Sequence, residues 1–131
     1  MRELIEVYTD ASTVGNPGPS AAGIYIKQNK QQYEYSYFLG EHTNHEAEFL
    51  AVIRALEICK QKFPGEILSI RSDSQVVVTT VDKSYTNNPA FVPLLNQILT
   101  LHDSFSFVFY KWIPDKANKN ADRLARSALK R

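Results

Sequence analysis

The period of the hydrophobic pattern changes along the chain in an order that few folds can satisfy. Leu4 to Thr9, Ala21 to Lys27 and Tyr33 to Leu39 alternate or run as short apolar segments, and they read as three successive strands. A polar turn around Gln28 to Lys30 joins the second to the third. The spacing then becomes helical: Phe49, Val52, Ile53, Leu56 and Cys59 fall on one face, with Thr43 or Asn44 as N-cap and Pro64-Gly65 as the stop. Ile67 to Ser72 is a short strand, and Gln75 to Val81 reads as a helix capped by Ser72 or Asp73. After a polar loop from Asp82 to Pro89, Phe91 to Leu101 is helical. Phe105 to Ile113 is apolar at successive positions, the pattern of a parallel strand covered on both faces. Asn118 or Asn120 then caps a last helix with Ala121, Leu124, Ala125, Ala128 and Leu129 on one stripe. A meander followed by strand-helix-strand crossovers predicts an α/β layer structure. Its five-stranded mixed sheet is antiparallel in the meander and parallel beyond it, with helices on both faces.

The 131 residues suit one domain, 1–131, with enough chain for a real core. No apolar run reaches the length of a membrane span, and acids interrupt the N-terminal MRELIEVYTD where a signal peptide needs an unbroken apolar stretch. Cys59 is the only cysteine and lies in an apolar helical stripe, so it reads as a core residue in a reducing compartment. A cytoplasmic, monomeric protein is expected. The net charge of +1 selects no partner class. Lys111 to Arg131 nevertheless carries seven basic residues against Asp115 and Asp122, as either a phosphate-binding segment or a solvated helix face. Tyr33, Tyr35 and Tyr37 share one face of the third strand, a stripe that suits sheet packing better than base stacking.

Four acids fall at element ends. Asp10 follows the first strand, Asp73 follows the fourth, and Glu48 and Asp122 sit early in the first and last helices. Asp is a common turn residue, and acids favour the first turn of a helix, so each position has an ordinary explanation. The alternative is convergence. Ligands bind at the carboxyl ends of strands in open α/β sheets, and crowded carboxylates call for a cation. Oxygen-only ligation suits Mg²⁺ or Mn²⁺, and two such ions about 4 Å apart suit phosphodiester hydrolysis.

The segments YTDASTVGNPGPSAAG, TNHEAEFLAVIRAL, RSDSQVV and NADRLA, in that order, resemble the ribonuclease H type 1 family across nearly the whole chain. The resemblance implies a single-domain ribonuclease H-like fold. It also implies a metal-dependent endonuclease that cuts the RNA strand of RNA–DNA hybrids with two Mg²⁺ or Mn²⁺ ions. Asp10, Glu48, Asp73 and Asp122 would be the catalytic metal ligands. Asn16, Asn44 and Gln75 would contact the RNA strand, and Thr43 a phosphate of the DNA strand. Of the two glutamates in TNHEAEF, Glu48 takes the catalytic position. Glu46 is about 200° away around the helix and cannot face the same site.

Four features depart from the family's usual pattern. Ala11 stands where Gly is usual, and WIPDKANKN before the last helix has no histidine, as in a His-less branch of the family. There is no room between Asp82 and Phe91 for a basic helical protrusion, and no separate hybrid-binding domain is expected. His42, His45 and His102 lie elsewhere and read as surface or capping residues. An active hybrid-cutting enzyme, a weak or silent hybrid-binding module, and a nuclease for double-stranded RNA therefore all stay open.

Overall fold

Residues 3–130 are described in a computed structural model. Arg131, the last of the basic residues counted above, lies outside them. The meander consists of β1 (Leu4–Thr13), β2 (Gly18–Gln28) and β3 (Gln31–His42), all antiparallel. Helix α1 (Asn44–Lys62) leads to β4 (Ile67–Ser72), and helices α2 (Gln75–Lys83) and α3 (Val92–His102) lead to β5 (Phe107–Trp112). A short 3-10 turn at Asp115–Ala117 precedes α4 (Lys119–Leu129). The strands lie in the order β3-β2-β1-β4-β5, with β1, β4 and β5 parallel. The expected mixed sheet is present.

Period two sorts the sheet residues between its faces. Ile5, Val7, Ile24, Ile26, Leu68 and Ile70 are fully buried against α1, which contributes Phe49, Val52 and Leu56. Each such side chain stabilises the fold by about 1.5–3 kcal/mol relative to exposure. Tyr33, Tyr35 and Tyr37 pack against this core rather than offering a stacking surface. Arg54 and Lys62 of α1 lie over the rings of Tyr37 and Tyr33. Cys59 is fully buried, and burial pushes its thiol up to about 12.

Among the described residues, helix α4 packs alone on the opposite face, across β1, β2 and β3. Its eleven residues span about 16 Å, enough for three strands at ~4.8 Å spacing and no more. The back of β4 and β5 is therefore uncovered. Phe107 is 60% exposed and Phe109 39%, so β5 is an edge strand covered on one face, not the doubly covered strand its sequence suggested. Arg71 bridges Glu6 at 2.8 Å on the polar part of that open face.

Two local expectations change. Asp10 does not end β1, because pairing with β2 continues from Asp10↔Gly23 to Thr13↔Ser20. Only the parallel ladder to β4 stops short, at Thr9↔Ser72. Ser74, not Ser72 or Asp73, caps α2, its hydroxyl accepting from the Val77 N–H, while the Ser72 hydroxyl accepts from the Ser74 N–H. The expected N-cap of α1 is Thr43, within a full capping box closed by Glu46. Among the described residues no helix is long and apolar enough to cross a membrane.

Candidate active site

The register of the parallel strands brings the first two acids together. Because the β1–β4 ladder stops at Thr9↔Ser72, Asp10 and Asp73 are the next residues along the two chains. Glu48 comes from the second turn of α1, the helix capped by Thr43. Asp10, Glu48 and Asp73 each present an oxygen within 4.8 Å of the others. Asp122 flanks this group. It lies close enough to Asp10 to act on its charge, while its Oδ1 accepts from Arg126 Nε at 3.1 Å.

What places Asp122 there is a glycine. A Cβ on Gly23, the ladder partner of Asp10, would collide with the Ala121 carbonyl and the Ala125 N–H. The bare backbone at Gly23 lets α4 lie directly behind Asp10. Asn118, 1% exposed, fixes the start of α4 from the other side, its Nδ2 donating to the Thr9 carbonyl at 2.8 Å.

The acids resist ionisation together. Burial is the largest cause for Asp10, followed by the charge of Asp73. They push its carboxyl up to about 8 against one favourable bond from the Ala11 N–H. Burial, then Asp10 and Asp73, hold Glu48 well above the usual carboxylate range. Burial also raises Asp73, with the side chains of Asn118 and Asp10 pulling the other way. Glu48 Oε1 is buried with no hydrogen-bond partner. A buried carboxylate oxygen in that condition is costly unless a proton or a cation meets it. Three converging carboxylates with an orphaned oxygen fit a hard divalent cation.

A cleft of about 510 Å³ opens over the acids. Glu48 and Asp73 form part of its wall with Asn44 and Gln75. Asn16 works from the rim, its Oδ1 accepting from the Asn44 N–H at 3.0 Å. The Thr43 hydroxyl is engaged in capping α1. Ala11 sits inside β1 opposite Ala22 and is not among the residues with positive φ, so its methyl costs no backbone strain.

Three residues of the site carried no functional reading in the sequence. Trp112 forms part of the cleft wall, and its indole N–H donates to the Asp73 carbonyl at 3.1 Å. His45, read as surface, lines the cleft one turn from Glu48 with its ring edge-on to Phe91. Asn118, read as a cap, makes no cap bond and instead ties α4 to β1. Their signal lies in position: Trp112 is the register partner of Ser72, just as Asp10 adjoins Asp73.

Comparison with known proteins agrees with this geometry. The family profile described as RNase H matches residues 2–130. A putative hydrolase EbsB of Enterococcus faecalis is 37% identical over 130 residues, covering 98% of this chain and 96% of that one. A ribonuclease H of Pseudoalteromonas translucida is 32% identical over 143 residues, covering 98% and 91%. Among solved structures, RNase H1 of the archaeon Halobacterium salinarum superposes with a TM-score of 0.90 at 30% identity, covering 97% of this chain and 98% of that one. LC11-RNase H1, solved in complex with an RNA/DNA hybrid, gives 0.89 at 29% identity, covering 96% of each chain. The chain belongs to the RNase H family, as a type 1-like RNase H enzyme.

Proposed function

We propose that this protein hydrolyses the RNA strand of RNA–DNA hybrids, with divalent cations held by Asp10, Glu48 and Asp73 and approached by Asp122. The observation that carries the reading is the convergence of Asp10, Glu48 and Asp73, each with a carboxylate oxygen within 4.8 Å of the others, at a Glu48 whose buried Oε1 has no hydrogen-bond partner among the described residues. Mg²⁺ or Mn²⁺ ions held there, two in this reading, would supply the charge that activates water and stabilises the leaving oxygen in phosphodiester hydrolysis.

The chain's own residues do the rest. Asp10, Glu48 and Asp73 would offer the ligand oxygens for the cations once deprotonated. The indole of Trp112 and the amide of Asn118 fix the backbone on either side of the acids, so the ligand oxygens keep their spacing. Asn44 and Gln75 present amides to the RNA strand, where the 2′-hydroxyl distinguishes RNA from DNA. Asn16 holds the hairpin against the start of α1, and Thr43 at that edge faces the DNA strand. The solved hybrid complex of LC11-RNase H1 supports a hybrid as the substrate. The buried thiol of Cys59 suits a reducing compartment, which supports a cytoplasmic protein, and a monomer is part of the same proposal.

Cleavage of an end-labelled RNA–DNA hybrid in Mg²⁺ or Mn²⁺ tests the reading, with duplex DNA, duplex RNA and single-stranded RNA alongside. Metal-dependent cutting of the hybrid RNA, absent in Asp73→Asn, is the expected result. Hybrid binding without cutting in either metal would leave a binding module. Preferential cutting of duplex RNA would reassign the substrate.

A further inference from the structure

The cleft adjoins a further depression at Asp73, which lines both. This second depression is walled by three acids, Asp73, Asp115 and Asp122, and three basic residues, Lys116, Lys119 and Arg126. A third continues along α4, walled by Asp122, Arg123, Arg126, Ser127 and Lys130. Asp122 and Arg126 belong to both, so the two form one track that starts at the acids.

The outer face of α4 is built as a basic row along this track. Lys119, Arg123 and Arg126 stand at i, i+4 and i+7, and the C-cap residue Lys130 continues the row at i+11, a ridge about 16 Å long, while Ala121, Leu124, Ala125 and Ala128 face the sheet. Arg126 pairs with Asp122 and Arg123 with Glu34, both at exposed positions. Such pairs contribute little and exchange readily for a phosphate. Lys119 and Lys130 have no ion-pair partner among the described residues.

We infer that the α4 ridge of Lys119, Arg123, Arg126 and Lys130 binds phosphates of the RNA strand beyond the cut. This assignment rests on the hybrid-cutting reading. The ridge anchors the substrate through its backbone charge and reads no sequence.

The test compares Lys119→Ala/Lys130→Ala with a matched removal of two charges at the far end of the molecule, Lys30→Ala/Lys60→Ala. Cleavage of a labelled RNA–DNA hybrid in Mg²⁺ is followed over a series of KCl concentrations. The ridge variant should raise KM roughly three- to tenfold at low salt with kcat unchanged. It should also lower the slope of log KM against log salt by about one for each phosphate left without its lysine. The distal variant should change neither. A hybrid whose RNA ends just beyond the cut should abolish the difference between wild type and ridge variant. Equal KM and slope for the two variants, on a wild type that cuts the hybrid, would overturn the ridge assignment alone. A wild type that neither binds nor cuts the hybrid would overturn the functional reading, and the ridge with it.

Discussion

Gly23 pairs with Asp10 across the β1–β2 ladder, and the backbone of α4 occupies the space a side chain on Gly23 would need. The backbone atoms in the way belong to Ala121 and Ala125, which bracket Asp122. Gly23→Ala must therefore lift α4 and carry Asp122 away from Asp10. The expected cost is about 1–3 kcal/mol of stability, as for other overpacked sites. Cleavage should fall more than the residual stability explains. Urea unfolding and hybrid cleavage, both measured where the variant is folded, check this; a variant matching wild type in both would show that α4 does not depend on the bare backbone at Gly23.

The two glutamates of α1 separate structure from chemistry. Glu46 closes the capping box, accepting from the Thr43 N–H at 2.9 Å, whereas Glu48 leaves a buried oxygen without a partner. Glu46→Ala should cost roughly 0.5–2 kcal/mol in unfolding experiments and leave cleavage near wild type. Glu48→Gln should abolish cleavage and leave the metal-free protein as stable or more so, since it removes a carboxylate crowded by Asp10 and Asp73. Loss of cleavage in a well-folded Glu46→Ala would reverse the assignment.

Local pattern made the element order and the helical faces legible in the sequence, and with them the separation of Glu48 from Glu46. What stayed hidden depends on partners distant in sequence. The turn-rich stretch from Ala11 to Gly18 looks like a strand end, yet β2 holds Ala11 to Thr13 in the ladder. Phe107 and Phe109 are as apolar as covered residues, and only the reach of α4, three strands and no further, leaves them exposed. Trp112, Asn118 and His45 acquire their places through the β4–β5 register, the Thr9 carbonyl and Phe91. No short window of sequence contains those relationships.

Trp112 is the only tryptophan of the chain, 44% exposed on the cleft wall. Its emission should therefore report hybrid binding without any added label. Titration of the hybrid in the presence of EDTA should change the intensity or wavelength in a saturable, salt-dependent way. Trp112→Phe keeps an aromatic face but removes the N–H that holds the Asp73 carbonyl. A several-fold loss of kcat, larger than any change in KM, is expected from an interaction that positions a ligand residue. Unchanged emission at saturating hybrid would place the substrate elsewhere.

The pH dependence of stability should carry the signature of the crowded acids. Asp10 sits at about 8 in the folded protein against 3.8 for its ordinary value, chiefly through burial and then through Asp73. A carboxyl raised on folding holds its proton more tightly in the native state, so its contribution is full below the unfolded value. That contribution is lost as pH climbs through the folded one. Glu48 and Asp73 are shifted the same way and add to the trend. Metal-free protein should therefore melt at lower temperature at about pH 9 than at about pH 6, on either side of the shifted value. Loading needs deprotonated ligands, so the stabilisation by Mg²⁺ should grow over the same interval. Asp10→Asn should flatten the metal-free profile and remove most of the Mg²⁺ response together. Melting curves in EDTA and in Mg²⁺ at both pH values make the comparison. A metal-free melting temperature that holds steady or rises across the interval would mean that the acids are already ionised in the apo protein.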